Sequence, residues 1–274
     1  MKHIRSADNP GFKLLRELAG SARERRKRGQ TLLDGAHLVD AWLARGQRLV
    51  QLVVSESGSA QPEIAALMGR HGEGADVIVL SDALFARVSP VDTPSGILAR
   101  IDIPPAPAAR LAGGNCIVLD AVQDAGNLGT LLRTAAAAGV REALLGEGCA
   151  QAWSPRVLRA GMGAHLALTI HEHAVIGTLL AGFRGEIVAT RPDAGRSLFD
   201  ADLRGPLAWL FGNEGAGLSP QVAALATREL RIPMPGAAES LNVAAAAAVC
   251  LFEQVRQNAG PQLQKHQPDQ RRQT

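Results

Sequence analysis

From residue 116 onward, short apolar runs alternate with helix-patterned segments, and no other feature of the chain constrains its fold as strongly. Strands are expected over 116–119, 142–145, 166–170, 186–189, 207–211 and 230–232, with helices over 128–138 and from 241 to about 257. Strands of this apolar kind, separated by helices, imply a mainly parallel sheet covered on both faces. Ahead of them lies a smaller α/β segment, with helices expected over 10–19, 37–45, 63–70 and 82–88 and strands over 31–34, 49–54, 77–80 and 96–101. Between the two, Pro104, Pro105, Pro107, Gly113 and Gly114 suit neither a helix nor a central strand and read as a linker. The expected organisation is an N-terminal α/β domain over 1–102, a linker over 103–115, a second domain over 116–257, and a Gln-rich polar tail over 258–274 expected to be disordered.

Charge is distributed unevenly. Net charge is +3, yet residues 1–28 carry nine Lys and Arg against three acids, so that end alone holds +6. A basic end on a near-neutral body suits a polyanionic partner, since phosphate contacts supply most nucleic-acid affinity. A solvated charge run explains the same count. Tyr is absent and aromatics make up 3% of residues, which excludes a base-stacking platform of the RNA-recognition-motif kind.

Cys116, Cys149 and Cys250 are widely spaced with no Cys-x-x-Cys, which argues for a reducing compartment and against a disulfide frame or zinc site. His171 and His173 have no third ligand at suitable spacing, so no metal is expected. The first residues have no apolar core of the signal-peptide kind, and the longest apolar run, 243–252, is too short to span a bilayer. A soluble cytoplasmic protein with no membrane contact is expected.

Three polar constellations punctuate the second segment. Asn127-Leu128-Gly129-Thr130-Leu131-Leu132-Arg133 follows the first strand, where ligands of parallel sheets bind. Asn127 is a natural cap for the helix behind it, and Gly129 keeps the turn free of a Cβ. Arg133, among leucines and alanines, lacks a local counter-ion, so either a phosphate or carboxylate ligand or a distant acid must meet it. Gly212-Asn213-Glu214-Gly215-Ala216-Gly217 follows the strand at 207–211 and frees backbone groups to approach a ligand closely. It is neither a P-loop nor a dinucleotide fingerprint, and Glu214 reads as an active-site carboxylate or a solvated loop acid. Ser240-Leu241-Asn242-Val243 precedes five alanines; Ser240 can cap that helix, with Asn242 in its first turn. The alanines allow close backbone packing, or simply favour helix.

The three constellations in this order resemble the motifs of the SpoU (TrmH) family of RNA ribose 2′-O-methyltransferases, in the SPOUT superfamily. The resemblance covers 116–257, and the stretch from Ser154 to Ala164 is similar to the family segment between its first two motifs. It implies a C-terminal SPOUT domain with a parallel sheet and a deep trefoil knot, and a homodimer. It further implies S-adenosylmethionine held largely by backbone groups of Gly212, Ile232 and Leu241. Arg133 and Glu214 would form the central catalytic pair, supported by Asn127, Ser240 and Asn242. Arg133 would take the proton of the ribose hydroxyl, or, more easily for a guanidinium, which is a poor base, position the adjacent phosphate. The family's Asp-Pro-x-Asn is here Asp124-Ala125-Gly126-Asn127, which puts loop rigidity in question while leaving every polar position filled.

The N-terminal segment resembles the RNA-binding extension of family members that act on ribosomal RNA. On that likeness Arg23, Arg25, Arg26, Lys27 and Arg28 would grip phosphates. The expected activity is ribose 2′-O-methylation of RNA, most readily ribosomal RNA, with transfer RNA as the other substrate class. A non-catalytic RNA-binding assembly factor on the same fold is the alternative to an enzyme.

Overall fold

The computed structural model describes residues 1–71, 76–108, 110–111 and 113–259, so nearly all of the tail expected to be disordered lies outside the described residues. The chain forms two sheets. The first is built from β1 (Lys2–Ile4), α1 (Pro10–Gly20), α2 (Ala22–Arg28), β2 (Gln30–Asp34), α3 (Ala36–Ala44), β3 (Gln51–Ser55), α4 (Pro62–His71), β4 (Asp76–Leu80), α5 (Asp82–Ala86) and β5 (Ile97–Asp102). Its strand order is β1-β4-β3-β5-β2. β1, β4 and β3 run parallel, whereas β5 is antiparallel to both β3 and β2. Asn9 caps α1 by accepting from the Gly11 amide at 2.9 Å, and Phe12, Leu15 and Leu18 are its buried stripe. Two elements were not expected: β1 is too short for a periodicity to show, and the basic run forms α2, stopped by Gly29 in the left-handed region at φ 62°.

The second sheet contains β6 (Cys116–Leu119), α6 (Ala125–Ala137), β7 (Glu142–Leu145), α7 (Pro155–Gly161), β8 (Thr169–His171), α8 (Ile176–Leu180), β9 (Glu186–Thr190), β10 (Leu207–Phe211), α9 (Pro220–Ala223), β11 (Arg228–Leu230) and α10 (Val243–Asn258). All six strands are parallel, in the order β11-β9-β10-β6-β7-β8. Every residue of β6, β7 and β10 is buried, as strands covered on both faces require. One face packs Cys116, Val118, Ala208 and Leu210 under α8 and α9. On the other, Ile117, Leu119, Trp209 and Phe211 join Ala244, Ala247 and Leu251 of α10 and Leu128, Leu131 and Leu132 of α6. The expected strand over 166–170 begins only at Thr169, because 164–166 make a 3-10 turn, and the one expected over 230–232 ends at Leu230.

The alanine run of α10 serves close packing. Ala244 and Ala247 are buried toward the core, and α10 crosses α6. After β11 the chain runs beside the segment that followed β9: Arg231 donates from its amide to the Arg196 carbonyl, and Leu198 donates back to Arg231, each at 2.8 Å. α10 then returns to α6, the helix behind the first strand of this sheet. That return is the packing a C-terminal trefoil knot calls for.

Gly129 lies within α6 rather than in a turn. A Cβ there would collide with the Ala160 Cβ and come within 2.7 Å of the Val157 carbonyl and 2.9 Å of the Gly161 amide. The missing side chain therefore lets α6 touch the backbone of α7. Gly129→Ala is expected to force the two helices apart, costing about 1–3 kcal/mol. An unchanged melting temperature in calorimetry would contradict this close approach.

The two sheets are joined by buried polar contacts. Asp34, fully buried in its side chain, accepts from Arg159 at 2.7 Å and from Ser95 at 2.7 Å. The Thr31 hydroxyl donates to the Trp153 carbonyl at 2.6 Å. One continuous set of buried apolar residues extends from Leu33 and Val54 on the first sheet to Ile117 and Trp209 on the second.

Candidate active site

In a parallel sheet the crevice forms where the strand order reverses, outside the carboxyl ends of the strands. Here the chain leaves β6 toward β7 and β8, then resumes on the other flank at β9, so the reversal falls between β6 and β10. A cavity of about 460 Å³ opens at that end of the sheet. Its wall comes from the segments after β9, after β10 and after β11, and it contains Gly212, Glu214, Ile232, Ser240, Leu241 and Asn242. Six of the residues singled out in the sequence thus line one cavity, although they are spread over 31 positions of the chain.

Asn127 does not itself line the cavity but links the first motif to the others. Its side-chain amide donates to Glu214 Oε1 at 2.9 Å, and its Oδ1 accepts from the Asn242 amide at 3.0 Å. Asn242 in turn accepts from the Ala244 and Ala245 amides at 2.9 and 3.4 Å. These contacts correct two expectations. Asp124 caps α6, accepting from the Asn127 backbone amide at 2.7 Å, because the helix begins three residues earlier than its apolar pattern suggested. Asn242 rather than Ser240 caps α10. Asn127 is relieved of capping, which frees its side chain to bridge the other two motifs.

The glycine loop is held from within. Asn213 donates to the Ala121 carbonyl at 2.9 Å and accepts from the Gly215 and Ala216 amides, each at 3.0 Å. Asp120 accepts from the Ser219 amide at 2.6 Å. At the base of the loop, a Cβ on Gly212 would collide with the backbone of Gly217 and Leu218. Partial burial works to raise the Glu214 carboxyl. The Asn127 amide and the backbone groups of Glu214, Asp124 and Gln123 outweigh it and hold the carboxyl below the usual range. Glu214 is therefore an anion at neutral pH and an acceptor only.

Arg133 lies six residues beyond Asn127 on α6, about 9 Å along the axis. It is exposed, has no hydrogen-bond or ion-pair partner among the described residues, and does not line the cavity. A distant acid that would satisfy it is therefore not found among the described residues. Sequence reasoning missed Arg191 and Met234, which also line the cavity. Arg191 is a strand-end residue engaged with Asp193 at 2.9 and 3.0 Å, and its place after β9 was the one signal available.

The basic run divides. Arg25 is 5% exposed, donating to Gln151 at 2.7 Å and to the Leu18 and Ala19 carbonyls at 2.7 and 3.2 Å. It clasps α1 to the second sheet with these donors engaged by the protein, which speaks against its assignment to the RNA grip. Arg28 pairs with Glu17 and Glu24. Arg23, Arg26 and Lys27 remain exposed on α2. His171 is buried against Glu142 at 2.8 Å, so its ring serves the core. Among the described residues no group of three His, Cys, Asp or Glu side chains is placed to hold a metal ion, and no helix is long and apolar enough to cross a membrane.

The cavity suits S-adenosylmethionine in its chemistry. Leu210, Phe211, Leu218, Ile232, Met234 and Val243 give an apolar wall for a nucleoside. Among the described residues the backbone amides of Ile232 and Leu241 donate to no partner, so they are available to a ligand's polar edge.

Residues 114–252 match the model of the SpoU rRNA methylase family, and residues 9–99 match an MRM3-like substrate-binding domain. The chain is 35% identical over 264 residues to an uncharacterized tRNA/rRNA methyltransferase of Synechocystis sp., covering 93% of each chain. It is 31% identical over 255 residues to the 23S rRNA (guanosine(2553)-2′-O)-methyltransferase RlmP of Bacillus subtilis, covering 92% of this chain and 98% of that one. The crystal structure of an AdoMet-bound rRNA methyltransferase from Sinorhizobium meliloti superposes with a TM-score of 0.77 at 28% identity, over 93% of this chain and 97% of that one.

Proposed function

The chain belongs to the SpoU rRNA methylase family, and from that premise we propose that it transfers a methyl group from S-adenosylmethionine to a ribose 2′-hydroxyl of ribosomal RNA. The observation that carries this reading is the hydrogen-bonded line Asn242–Asn127–Glu214, which joins all three motifs beside the cavity. When bound, S-adenosylmethionine supplies a methyl on a sulfonium cation, open to displacement by an oxygen nucleophile. Gly212, Ile232 and Leu241 would hold it through backbone groups, with the apolar wall excluding water.

The protein's remaining task is to align a weak nucleophile and manage its proton. The anionic Glu214 fixes the Asn127 amide, and Asn127 fixes Asn242, so these polar groups are held in a single orientation beside the cavity. Arg133, without a partner among the described residues, would hold the phosphate beside the reacting ribose. Ser240 supplies a hydroxyl on the cavity rim. The exposed α2 side chains Arg23, Arg26 and Lys27 would add phosphate contacts farther along the RNA. The reading includes a homodimer working in the cytoplasm, where ribosomal RNA is found.

The test is methyl transfer from labelled S-adenosylmethionine to unmodified rRNA and tRNA transcripts, followed by nuclease digestion. Label on the ribose of an rRNA nucleotide is expected. Label on tRNA would move the substrate, and label on a base would overturn the chemistry. Cofactor binding without transfer to either RNA or to ribosomal subunits would instead make the chain an assembly factor.

A further inference from the structure

A second cleft, of about 720 Å³, lies between the two halves of the chain and is bordered by Ala125 in the first turn of α6. Its charged walls come from three separate places: Arg16 on α1, Arg87 just after α5, and Arg156 in the first turn of α7. All three are exposed, and none has a hydrogen-bond or ion-pair partner among the described residues. Arg25 also reaches the wall but is engaged by Gln151 and by main-chain carbonyls. One acid, Asp92, faces these arginines. The Arg87 guanidinium sits 5.3 Å from the centroid of the buried Phe12 ring, an arrangement that holds it in place and leaves its edge N–H donors free.

Like charges are gathered here with a single acid facing them, at a cost that a polyanion would relieve. The rest of the lining is alanine, glycine, serine, proline and valine, with no aromatic face on which a base could stack. Such a wall reads a backbone rather than bases. Its position points to the same occupant as the catalytic centre. Ala125 lines the cleft, and Asn127, two residues or about 3 Å farther along α6, bonds to Glu214 and Asn242 of the cofactor cavity.

We propose that Arg16, Arg87 and Arg156 form a phosphate track that carries the substrate RNA strand to the reacting ribose at Asn127. This rests on the reading of the chain as an RNA methyltransferase and assigns the substrate grip to this cleft as well as to α2. Arginines from both halves of the chain then fix which nucleotide can arrive, and the ion pair of buried Asp34 with Arg159 keeps the walls in register.

The experiment measures binding of an unmodified 23S rRNA transcript to the full-length chain over a range of salt concentrations. Three arms are compared: wild type, an Arg16→Ala/Arg87→Ala/Arg156→Ala variant, and the corresponding triple Arg→Lys variant. Each phosphate contact contributes about 0.7 to 0.9 to the slope of log affinity against log salt, so the alanine variant should lose about 2 to 3 from that slope. The lysine variant should keep most of it. S-adenosylmethionine affinity, measured alongside, should be unchanged in both and shows that the cavity is still folded. An alanine variant with wild-type slope and intact cofactor binding overturns the track, and leaves the cleft to a protein partner. A wild-type chain that methylates no RNA overturns the parent reading instead.

Discussion

Replacing Arg133 with alanine is expected to lower methyl transfer at least about 100-fold while leaving S-adenosylmethionine affinity nearly unchanged. The split follows from its placement. Arg133 is on the exposed face of α6, outside the cavity wall, and no protein group uses its charge among the described residues. Removing it takes nothing from the cofactor's walls and nothing from the Asn242–Asn127–Glu214 line. What is lost is the cation that fixes the phosphate next to the reacting ribose, and with it the alignment of the 2′-oxygen. Single-turnover kinetics and calorimetric cofactor binding, run on the same preparation, separate the two effects. A variant that loses cofactor binding in step with turnover would place Arg133 in the cavity and defeat the assignment.

The second large effect is expected from Gly212→Ala. The new Cβ would meet only backbone atoms, at Gly217 and Leu218, so no side chain can rotate to make room. The loop must open, and its two closing hydrogen bonds between Asn213 and Gly217, at 2.9 Å each, open with it. Overpacking of this kind costs about 1–3 kcal/mol. Because the loop forms one wall of the cavity and carries Glu214, that cost is expected to appear in cofactor affinity, as a loss of about 10- to 100-fold. The core beneath it, from Ile117 to Leu251, does not involve the loop, so the melting temperature should fall little. Wild-type cofactor affinity in the variant would show that the cavity at the end of β10 is not where S-adenosylmethionine binds.

Local features of the chain carried a great deal. The apolar runs at 116–119, 142–145 and 207–211 became strands with those bounds, because completely buried strands leave an uninterrupted apolar signature. Residues named from the second and third polar motifs line one cavity, and Asn127 of the first hydrogen-bonds to both. Less legible were element ends, where a cap three residues upstream, such as Asp124, decides the start of a helix whose apolar pattern begins later. Short strands such as β1 have no period to read.

The basic run shows the same limit in charge. Nine cations in the first 28 residues are visible as composition, yet composition does not distinguish Arg25, folded into the core, from Arg23 beside it in solvent. Nor does it reveal Arg87 and Arg156, which are far from that run and join Arg16 only when the two sheets pack.

The sequence by itself determined the parallel α/β sheet, the order of the motifs and the family, because each depends on residue type and spacing along the chain. The tertiary structure alone decided which polar atoms meet. Asn127 and Asn242 are 115 positions apart, and Asn127 and Glu214 are 87, so their hydrogen bonds exist only because the reversal of strand order brings the ends of β6, β10 and β11 to one edge. Contacts at such separations are set by packing, which no local pattern encodes.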